Sequence, residues 1–418
     1  MDRASGGHFQ PAASALTRRL RILHATQFYS PSVGGAQEVV RQVSERLAAR
    51  GHDVTVATTR HSARTQDTLN GVRIEEFDVK GNAAGRMRGE IARYRRFVVG
   101  GAFDVVMSYA AQQWTTDALL EILEDIPSVR VLAPCGFSGL YQRRYRHYFA
   151  RLPERLRRWD ALVFHGSAYR DIEFARQAGI SELVVIPNGA DELEFGESAG
   201  RRESFRSQHG IPHDVPIVLS VGSHTGRKGH GALQRAFGQL SREAVLVLIG
   251  SPAGRRGCAR ACRRRAGVLS RRSHGSHRVL LLDPPRDEVV DAYFAADIFA
   301  CASEVECSPL VLFEAAAAGL PVVTVPVGNS EEILEWTGGG VVVPAQRRRD
   351  GDTVTDASTL ASAMSNLLNQ PAQLRQLGGH GRAAWRRTYT WSKVATRYEH
   401  LYTELTTARA QGRSDRVG

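Results

Sequence analysis

The sequence lacks a membrane-spanning segment and a recognisable export signal. No stretch approaches the roughly 18 to 20 consecutive apolar residues that a transmembrane helix requires. The N-terminus, MDRASGGHFQPAASALTRRL, has no apolar core followed by a cleavage site of small residues, so no secretory signal is expected there. We therefore predict a cytoplasmic protein in which residues 1–19 form a flexible tail.

Cysteine is too scarce for a disulfide framework. The five cysteines lie at positions 135, 258, 262, 301 and 307, an odd number at low density in 418 residues. Cys258 and Cys262 form a C-x3-C pair, but no second cysteine or histidine pair stands at the spacing of a zinc site. The sequence by itself thus predicts free thiols in a reducing cytosol and no bound metal.

Acidic charge is in deficit. Lys and Arg together number 55 and Asp and Glu 43, so the formal charge is +12 and the pI is near 9.9. The positive electrostatic field of such a protein favours anionic partners such as nucleotides, phospholipid headgroups or nucleic acid. The remaining composition, 42% hydrophobic and 23% charged, is that of a globular soluble protein with room for two or three domains.

Both halves of the chain alternate short apolar runs with amphipathic helical stretches. In the first half we predict a helix at 35–51 and strands at 20–26, 53–59, 72–77, 104–109, 129–134, 161–164 and 183–187. The second half repeats the pattern, with strands at 216–223, 244–251, 278–283, 297–303, 320–326 and 340–344. Buried apolar strands that alternate with helices indicate parallel sheets covered on both faces. We predict an α/β fold of two doubly wound, Rossmann-like domains.

A polar stretch after PNGAD (187–191) separates the two series. We predict an N-terminal domain over residues 20–190, a linker over 191–212 and a C-terminal domain over 213–385. The last helix, at 391–405, carries an aromatic and aliphatic stripe that suits packing on either domain.

Two segments are strongly basic. Residues 143–160 mix arginine with Tyr, Phe, Leu and Trp at helical spacing. This pattern fits an interfacial helix on an anionic membrane, or a solvated helix whose arginine stems cover the core, although Pro153 interrupts it. Residues 254–278 carry more charge but no aromatic residue to stack on bases, so we expect a solvated excursion there and no nucleic-acid partner.

Two glycine-containing loops follow strands at places where α/β domains bind ligands. Gly34 and Gly35 do not match the G-x-G-x-x-G of a dinucleotide site. Two interpretations of these glycines remain, a purely structural turn and a loop that faces a ligand in a cleft. The loop SVGSHTGRKGH (220–230) is not a Walker A sequence. Its glycines, Arg227 and Lys228 at a helix N-terminus suit an anion pocket, and the alternative is a glycine-rich turn with solvated cations.

One acid lies within an otherwise apolar helix. Ser308 is a suitable N-cap and Pro309 a suitable first helical residue. Gly319 marks the end, so we predict a buried helix at 309–318 that is apolar on every side except at Glu314. Desolvating an unpaired charge costs on the order of several kcal/mol, so this carboxylate needs hydrogen-bond donors. An internal arginine or lysine would supply them, and so would the two hydroxyls of a ribose.

Glu306 lies in the loop before this helix and is expected to face the same crevice at the carboxyl ends of the strands. The stretch ECSPLVLFE (306–314) resembles the E-x7-E signature of retaining family 4 glycosyltransferases, which have the two-domain GT-B fold. Three further features occur in the order of that family: the Gly34-Gly35 loop, PNGAD before the linker, and the Gly-x5-Lys-Gly loop that opens the second domain. The resemblance covers residues 20–405.

The resemblance implies that the C-terminal domain binds a nucleoside-diphosphate sugar and that the N-terminal domain holds the acceptor. Transfer would take place in the cleft between them without an obligatory metal or other cofactor, and the segment 386–418 would cross back to the N-terminal domain. It assigns the donor ribose to Glu314 and the transferred sugar to Glu306, while Lys228 would hold the diphosphate and stabilise charge on the leaving group. Glu306 and Lys228 are therefore the predicted catalytic residues. The predicted donor-binding residues are Gly222, Ser223, Arg227, Lys228, Glu306, Cys307, Ser308, Leu310, Val311 and Glu314.

Two positions depart from the family pattern. Relatives commonly carry arginine directly after the glycine of the second loop, where this chain has Ser223, and Arg227 is the candidate substitute. Relatives also often place a histidine in the cleft, where this chain has Cys135 and Gly136. His165 is a further candidate for that role, and its other interpretation is a buried structural histidine. The predicted residues of the acceptor side are Gly34, Gly35, Cys135, Gly136 and His165.

These patterns support one principal function and two alternatives. The principal hypothesis is transfer of a sugar, with retention, to a glycan, a polysaccharide precursor or a lipid-linked acceptor at the inner face of the plasma membrane. The basic segment 143–160 is then the candidate for a peripheral contact with an anionic membrane surface. A nucleotide-sugar epimerase would keep the fold but need no acceptor. A non-enzymatic nucleic-acid-binding protein is the third hypothesis, suggested by the net charge and by residues 254–278.

Overall fold

A computed structural model of the chain describes residues 18–254 and 257–414, with only the backbone described at 413 and 414. The expected N-terminal tail lies outside the described residues except for its last two positions. The strands are β1 Arg21–Ala25, β2 Asp53–Thr59, β3 Thr68–Leu69, β4 Val72–Phe77, β5 Val79–Lys80, β6 Arg88–Gly89, β7 Val105–Tyr109, β8 Val129–Ala133, β9 Ala161–Phe164, β10 Leu183–Val185, β11 Ile217–Val221, β12 Ala244–Ile249, β13 His277–Leu282, β14 Ile298–Cys301, β15 Val322–Thr324, β16 Gly340–Val342, β17 Gln346–Arg347 and β18 Thr353–Val354.

The helices alternate with these strands along most of the chain. They are α1 Gly35–Ala49, α2 Ile91–Gly100, α3 Trp114–Asp117, α4 Arg146–Leu156, α5 Arg170–Gln177, α6 Arg201–Gln208, α7 His230–Phe237, α8 Ala259–Arg272, α9 Arg286–Ala295, α10 Leu310–Ala318, α11 Ser330–Thr337, α12 Ala357–Leu368, α13 Pro371–Thr388 and α14 Trp391–Ser414. Every strand expected from the sequence coincides with a strand of the structure. The strands that the sequence did not reveal, β3, β5, β6, β17 and β18, have two residues each, too few to show a period.

Two sheets organise the molecule. The first has the order β10-β9-β8-β7-β1-β2-β4-β3 and is parallel except for the β3–β4 pair. The second has the order β13-β12-β11-β14-β15-β16 and is parallel throughout. The strands carry continuous apolar runs because both faces are covered: all six residues of β12 are buried, for example. The predicted α/β architecture of two doubly wound sheets is confirmed.

The C-terminal helix α14 crosses back to the first sheet, as expected. Its buried side chains Trp391, Tyr398 and Tyr402 join the core that includes β1 and α1. Tyr402 also hydrogen-bonds His24 of β1, with 3.0 Å between the hydroxyl and Nε2. Buried aromatic area of this size fixes the helix on the N-terminal half even though it follows the C-terminal half in sequence.

The segment predicted as a linker contains helix α6. Phe205 of α6 and Phe195 before it are fully buried in the core of the second sheet, together with Ile211. Arg206 is also buried and donates to the carboxylate of Asp297 at 3.0 Å. The helix was not predicted because the apolar residues of this polar stretch are few and widely spaced.

The basic segment 143–160 turns its apolar side inward. A 3-10 turn at Arg143–Tyr145 leads into α4, which continues through Pro153, so the expected interruption of the helix is wrong. The side chains that pack in the core are Tyr145, Tyr148, Phe149, Leu152, Leu156 and Trp159. The structure therefore has no exposed apolar face here for insertion into a bilayer, and exposed arginines are what remains on the surface. None of the described helices is long and apolar enough to cross a membrane.

The second basic segment, 254–278, is more ordered than an excursion. Apart from residues 255 and 256, which lie outside the described part of the chain, it consists mainly of helix α8 and the start of β13. Cys262 and Ala266 form the buried side of α8, and its arginines lie on the other side. This helix covers the edge of the second sheet.

Candidate active site

The loop between β11 and α7 is shaped by two glycines. Gly229 has a φ of 67°, and a Cβ atom on it would lie 1.8 Å from the carbonyl oxygen of Ala302, so only glycine fits there. A Cβ on Gly222 would lie 3.2 Å from Cγ of Lys228. The loop thus folds back closely on β14, and the lysine stem occupies the space that Gly222 leaves open.

Lys228 contacts the loop that precedes α10. Its ammonium nitrogen lies 2.6 Å from Oε1 of Glu306, and both side chains are partly exposed, at 29% and 14%. The two residues are 78 positions apart in sequence. The structure thus brings together the two residues that the resemblance names as catalytic, at the carboxyl ends of the neighbouring strands β11 and β14.

Helix α10 begins without a side-chain cap. It starts at Leu310 with Pro309 in the N-cap position, so the prediction of Ser308 as the N-cap is wrong by one residue. The fixed φ of proline suits the position just before the first helical residue as well as the first turn itself. The Ser308 hydroxyl is buried and has no hydrogen-bond partner among the described residues. The predicted end at Gly319 is confirmed, because this residue adopts the left-handed conformation with a φ of 70°.

The free N-terminus of α10 is a site for negative charge. The first amides of a helix have no intrahelical acceptor, and the helix dipole places partial positive charge there. The unpartnered Ser308 hydroxyl and the Lys228 ammonium lie at the same loop. Amides, hydroxyl and ammonium together are the groups that bind a phosphate.

Glu314 has protein donors for both of its oxygens. Arg286 donates to Oε1 at 2.6 Å and the hydroxyl of Tyr293 donates to Oε2 at 2.7 Å. Arg286 also contacts Glu194 at 2.6 Å. Burial and the neighbouring Glu314 carboxylate raise the pKa of Tyr293 well above its ordinary value, so the tyrosine stays a donor. The sequence left two possible sources of hydrogen bonds for Glu314, an internal basic residue or the hydroxyls of a ribose. The structure contains the first of these, Arg286.

A ribose at Glu314 is compatible with these contacts. Each carboxylate oxygen has two acceptor sites, and each accepts one hydrogen bond here. Burial by itself lowers the pKa of Arg286, but the carboxylates of Glu314 and Glu194 outweigh it and raise that pKa. The arginine therefore remains a cation beside Glu314, and each oxygen of the carboxylate retains one acceptor site for a hydroxyl.

The N-terminal half meets this loop through glycines and cysteines. A Cβ on Gly136 would lie 2.8 Å from Cβ of Cys307, and a Cβ on Gly35 would lie 3.9 Å from Cδ1 of Leu310. A hydrogen bond with Cys135 and burial raise the pKa of the Cys307 thiol well above its ordinary value, and the same hydrogen bond lowers the pKa of Cys135. Of the predicted acceptor-side residues, Gly35, Cys135 and Gly136 therefore border the loop before α10 directly.

Two residues that the sequence did not point to hold the Cys135-Gly136 turn in place. Asp171 accepts from the amide of Gly136 at 2.7 Å, and Arg170 donates to the carbonyl of Gly136 at 2.8 Å. Both side chains are buried at the start of α5, and burial raises the pKa of Asp171. In the sequence, only their position at the start of a helix that follows a strand indicated that these two residues could lie at the site.

A second contact joins the loops after β9 and β15. The side chain of Asn329 donates to the carbonyl of His165 at 2.8 Å, and its backbone amide donates to the carbonyl of Cys307 at 2.9 Å. Glu332 accepts from the amide of Ser167 at 2.8 Å. Asn329, Glu332 and Ser167 were not predicted, because side chains that bridge two halves of a chain show no periodic pattern.

Two predicted residues have partners that take them away from the Lys228–Glu306 pair. Arg227 pairs with Asp352, and its Nε lies 3.9 Å from Glu304, so its guanidinium is engaged by these two carboxylates. Both ring nitrogens of His165 are bonded, Nε2 to the Tyr109 hydroxyl at 2.8 Å and Nδ1 to the carbonyl of residue 186 at 3.0 Å. Burial lowers the pKa of His165. It has the contacts of a structural histidine.

Comparisons with known proteins agree with this geometry. Two family models match the chain, one described as Glycosyltransferase Family 4 over residues 33–192 and one as Glycosyl transferases group 1 over residues 215–370. D-inositol 3-phosphate glycosyltransferase from Corynebacterium jeikeium is 30% identical over 427 residues, which cover 95% of this chain and 98% of that protein. The enzyme of the same name from Xylanimonas cellulosilytica is 27% identical, covering 90% and 93%.

Solved structures share the fold at lower identity. Sucrose-phosphate synthase from Thermosynechococcus elongatus superposes with a TM-score of 0.77 at 21% identity, covering 93% of this chain and 100% of that chain. HepE from Anabaena in complex with UDP superposes with a TM-score of 0.72 at 17% identity, covering 92% and 100%. These matches do not favour the epimerase or nucleic-acid-binding hypotheses. The chain belongs to the retaining glycosyltransferases of family 4 and is a glycosyltransferase with the GT-B fold.

Proposed function

We propose that the protein transfers a sugar from a nucleoside-diphosphate sugar to a phosphorylated acceptor, with retention at the anomeric carbon. The observation that carries this proposal is the Lys228–Glu306 contact of 2.6 Å beside the uncapped N-terminus of α10. A donor diphosphate combines two features that this place accommodates, concentrated negative charge and an adjacent sugar that needs a carboxylate acceptor for its hydroxyls.

The donor would bind along the C-terminal half. Its diphosphate would accept from the first amides of α10, from the Ser308 hydroxyl and from Lys228. Its ribose would donate to Glu314, and the transferred sugar would donate to Glu306. The backbone at Cys307, Leu310 and Val311 would contribute to binding the diphosphate, and Gly222 and Ser223 would border it next to Lys228.

Lys228 would contribute most to the rate. Cleavage of the bond between the anomeric carbon and the phosphate oxygen leaves negative charge on the nucleoside diphosphate, and a fixed ammonium and helix N-terminus stabilise that charge without reorganising. Glu306 holds the ammonium in place through its 2.6 Å contact. No step in this scheme requires a metal at the diphosphate.

The acceptor would enter from the N-terminal half, past Gly34, Gly35 and the Cys135-Gly136 turn. Two relatives are named for D-inositol 3-phosphate, and a phosphorylated acceptor suits a chain of charge +12. Polyol and sugar phosphates are therefore the first acceptors to test, before glycan or lipid-linked acceptors.

The test has two stages. A thermal-shift screen with UDP-, GDP- and ADP-sugars identifies the donor, because a bound ligand raises the melting temperature. The donor is then incubated with inositol phosphates, hexose phosphates and lipid-linked sugars, and nucleotide release and the anomeric configuration of the product are measured by NMR. Absence of binding to any nucleotide-sugar would contradict the proposal, and an inverted anomeric centre would contradict retention.

A peripheral membrane contact is the finer proposal on location. Because the apolar side of α4 is buried, such a contact would be electrostatic and would use exposed arginines such as Arg143, Arg144 and Arg146. Co-sedimentation with phosphatidylglycerol vesicles should then be strong at low salt and lost at high salt. Equal binding to neutral phosphatidylcholine vesicles, or binding unchanged when the three arginines are replaced by glutamine, would contradict it.

A further inference from the structure

Four metal-binding side chains meet beside the loop between β11 and α7, residues 222–229, which we call the donor loop. His224 follows β11 and His230 begins α7. Cys258 directly precedes α8, and Cys262 lies in its first turn. One ligand atom from each lies within 4.8 Å of every other. The chain segments that supply them are separate in sequence, and the fold brings them together.

Four of the six distances between these ligand atoms lie between 3.2 and 3.7 Å. The two Nδ1 atoms of His224 and His230 are 3.2 Å apart, and the Sγ atoms of Cys258 and Cys262 are 3.7 Å apart. Sγ of Cys258 lies 3.4 Å from Nδ1 of His224 and 3.6 Å from Nδ1 of His230.

These are the separations of a tetrahedral zinc site. With zinc–sulfur bonds of about 2.3 Å, zinc–nitrogen bonds of about 2.05 Å and angles near 109°, the sulfur atoms should be about 3.8 Å apart and the nitrogen atoms about 3.3 Å. Mixed sulfur–nitrogen separations should be about 3.6 Å. The four distances measured above agree with these values to within about 0.2 Å.

We propose that His224, His230, Cys258 and Cys262 bind one Zn²⁺ ion with a structural role. Two cysteines and two histidines are an established ligand set for structural zinc. On binding, both thiols lose their protons to solvent, so two thiolates neutralise the two charges of the ion while the imidazoles bind in their neutral form. Four protein ligands leave no position for substrate or catalytic water.

Hydrogen bonds hold the backbone around the cluster in place. The amide of His224 donates to the carbonyl of Ser251 at 2.9 Å, and the amide of Cys258 donates to the carbonyl of His224 at 2.8 Å. Gln234 of α7 donates to the carbonyl of Cys262 at 3.0 Å. His224, His230 and Cys262 are buried, so the site is shielded from bulk water.

The site would act on the donor loop. The two histidine ligands bracket residues 225–229, and Lys228 lies between them. A metal bound at both ends of this stretch would hold the loop against α8 and thereby fix the stem of the lysine that contacts Glu306. The ion would position the loop, and the chemistry would remain with Lys228 and Glu306.

The alternative is a cluster without metal. Two thiols and two neutral imidazoles are able to hydrogen-bond one another at these distances, which would agree with the free thiols expected from the C-x3-C pair alone. Both interpretations explain the burial, so metal content separates them. This inference does not depend on the identity of the donor or acceptor.

The full-length protein is produced in zinc-supplemented medium, purified with a non-thiol reductant, and analysed by inductively coupled plasma mass spectrometry. We expect one zinc per chain. Replacement of the zinc by Co²⁺ should produce the intense visible bands of tetrahedral cobalt and a thiolate-to-cobalt charge-transfer band. Zinc well below one per chain together with no tetrahedral cobalt spectrum would overturn the proposal, as would a Cys258–Cys262 disulfide in the reduced preparation.

Variants assign the ligands. The double variant Cys258→Ser/Cys262→Ser should lose the zinc and the charge-transfer band, and Cys301→Ser, a buried cysteine of β14, should keep one zinc per chain. If the double variant does not fold, titration of wild-type protein with a mercurial while zinc release is followed by a colorimetric chelator gives the same answer. Release of one zinc as two thiols react supports the site, and zinc release with no thiol consumption at Cys258 and Cys262, mapped by mass spectrometry, contradicts it.

Discussion

The two walls of the cleft are built from different kinds of group. On the C-terminal wall, charged side chains meet at short distances, as in the Lys228–Glu306 and Arg286–Glu314 contacts of 2.6 Å. On the N-terminal wall, the predicted residues are glycines, a thiol and a histidine that is bonded at both nitrogens. Among the predicted residues, those of the C-terminal wall therefore supply fixed charge, while those of the N-terminal wall supply space and backbone shape.

This difference explains why the residues of the C-terminal wall form a recognisable sequence motif and those of the N-terminal wall do not. A carboxylate or an ammonium at a given position has few substitutes, so its spacing persists as a pattern such as E-x7-E. Space is created by the absence of a side chain, and many sequences achieve it. We therefore expect substitutions on the C-terminal wall to change donor chemistry and those on the N-terminal wall to change stability or acceptor fit.

The largest effect should come from Lys228→Ala. Loss of the ammonium removes a fixed charge at the leaving group, and comparable electrostatic groups contribute about 10²- to 10³-fold to turnover. Turnover with saturating donor and acceptor measures this loss. Lys393→Ala is the matched control, since Lys393 lies on α14 and bonds carbonyl groups at the end of α13. Equal turnover in the wild type and Lys228→Ala would remove the proposed role.

The largest effect on stability should come from a substitution at Gly229, which acts on the fold of the donor loop. Gly229→Ala combines a positive φ with a Cβ 1.8 Å from a carbonyl oxygen, and we expect a loss of about 3–5 kcal/mol in the free energy of unfolding. Gly226→Ala has a φ of 88° but nothing within 4 Å of the new atom, so about 1–2 kcal/mol is expected. Denaturant titration measures both, and equal losses would show that the contact with Ala302 is unimportant.

Glu314→Ala should weaken donor binding. Hydrogen bonds to a carboxylate contribute about 1.5–3 kcal/mol, so the donor Kd should rise by at least about 10-fold while the fold persists. Glu194→Ala is the matched control because it removes the other carboxylate on Arg286 and should leave the donor Kd nearly unchanged. Isothermal titration calorimetry measures both. A Glu314→Ala protein that is simply unfolded would show that the carboxylate serves only the ion pair with Arg286.

The smallest effect on turnover is expected at His165. His165→Gln removes buried hydrogen bonds and should cost about 1–3 kcal/mol of stability with nearly unchanged turnover. Burial lowers the pKa of the folded-state imidazole, so the unfolded chain binds the proton more readily. The stability that this histidine contributes is therefore lost as the pH falls below about 6.5, and the variant should show a shallower decline. A variant with normal stability but strongly reduced turnover would instead place His165 in the reaction.

Much of the fold was predictable because strands buried on both faces carry continuous apolar runs. β12, with six consecutive buried residues, is an example, and α10 ends at Gly319 as its sequence indicates. Helix α6 was not recognised, because its few apolar residues reveal their burial only when they meet α9. The basic, aromatic 143–160 segment suited both a membrane surface and a protein core, and packing alone decided that its apolar side lies in the core.

Local periodicity and spacing within one segment predict the two-sheet α/β architecture, the family resemblance, and the carboxylates and lysine of the C-terminal wall. These features could therefore be recognised from the amino-acid order alone. Contacts between residues far apart in sequence became visible only in the folded protein. It joins Lys228 to Glu306, Cys135 to Cys307, and His224 and His230 to a C-x3-C pair about 30 residues away. Such contacts depend on how strands and loops are arranged in three dimensions, and no periodic pattern in the chain encodes them.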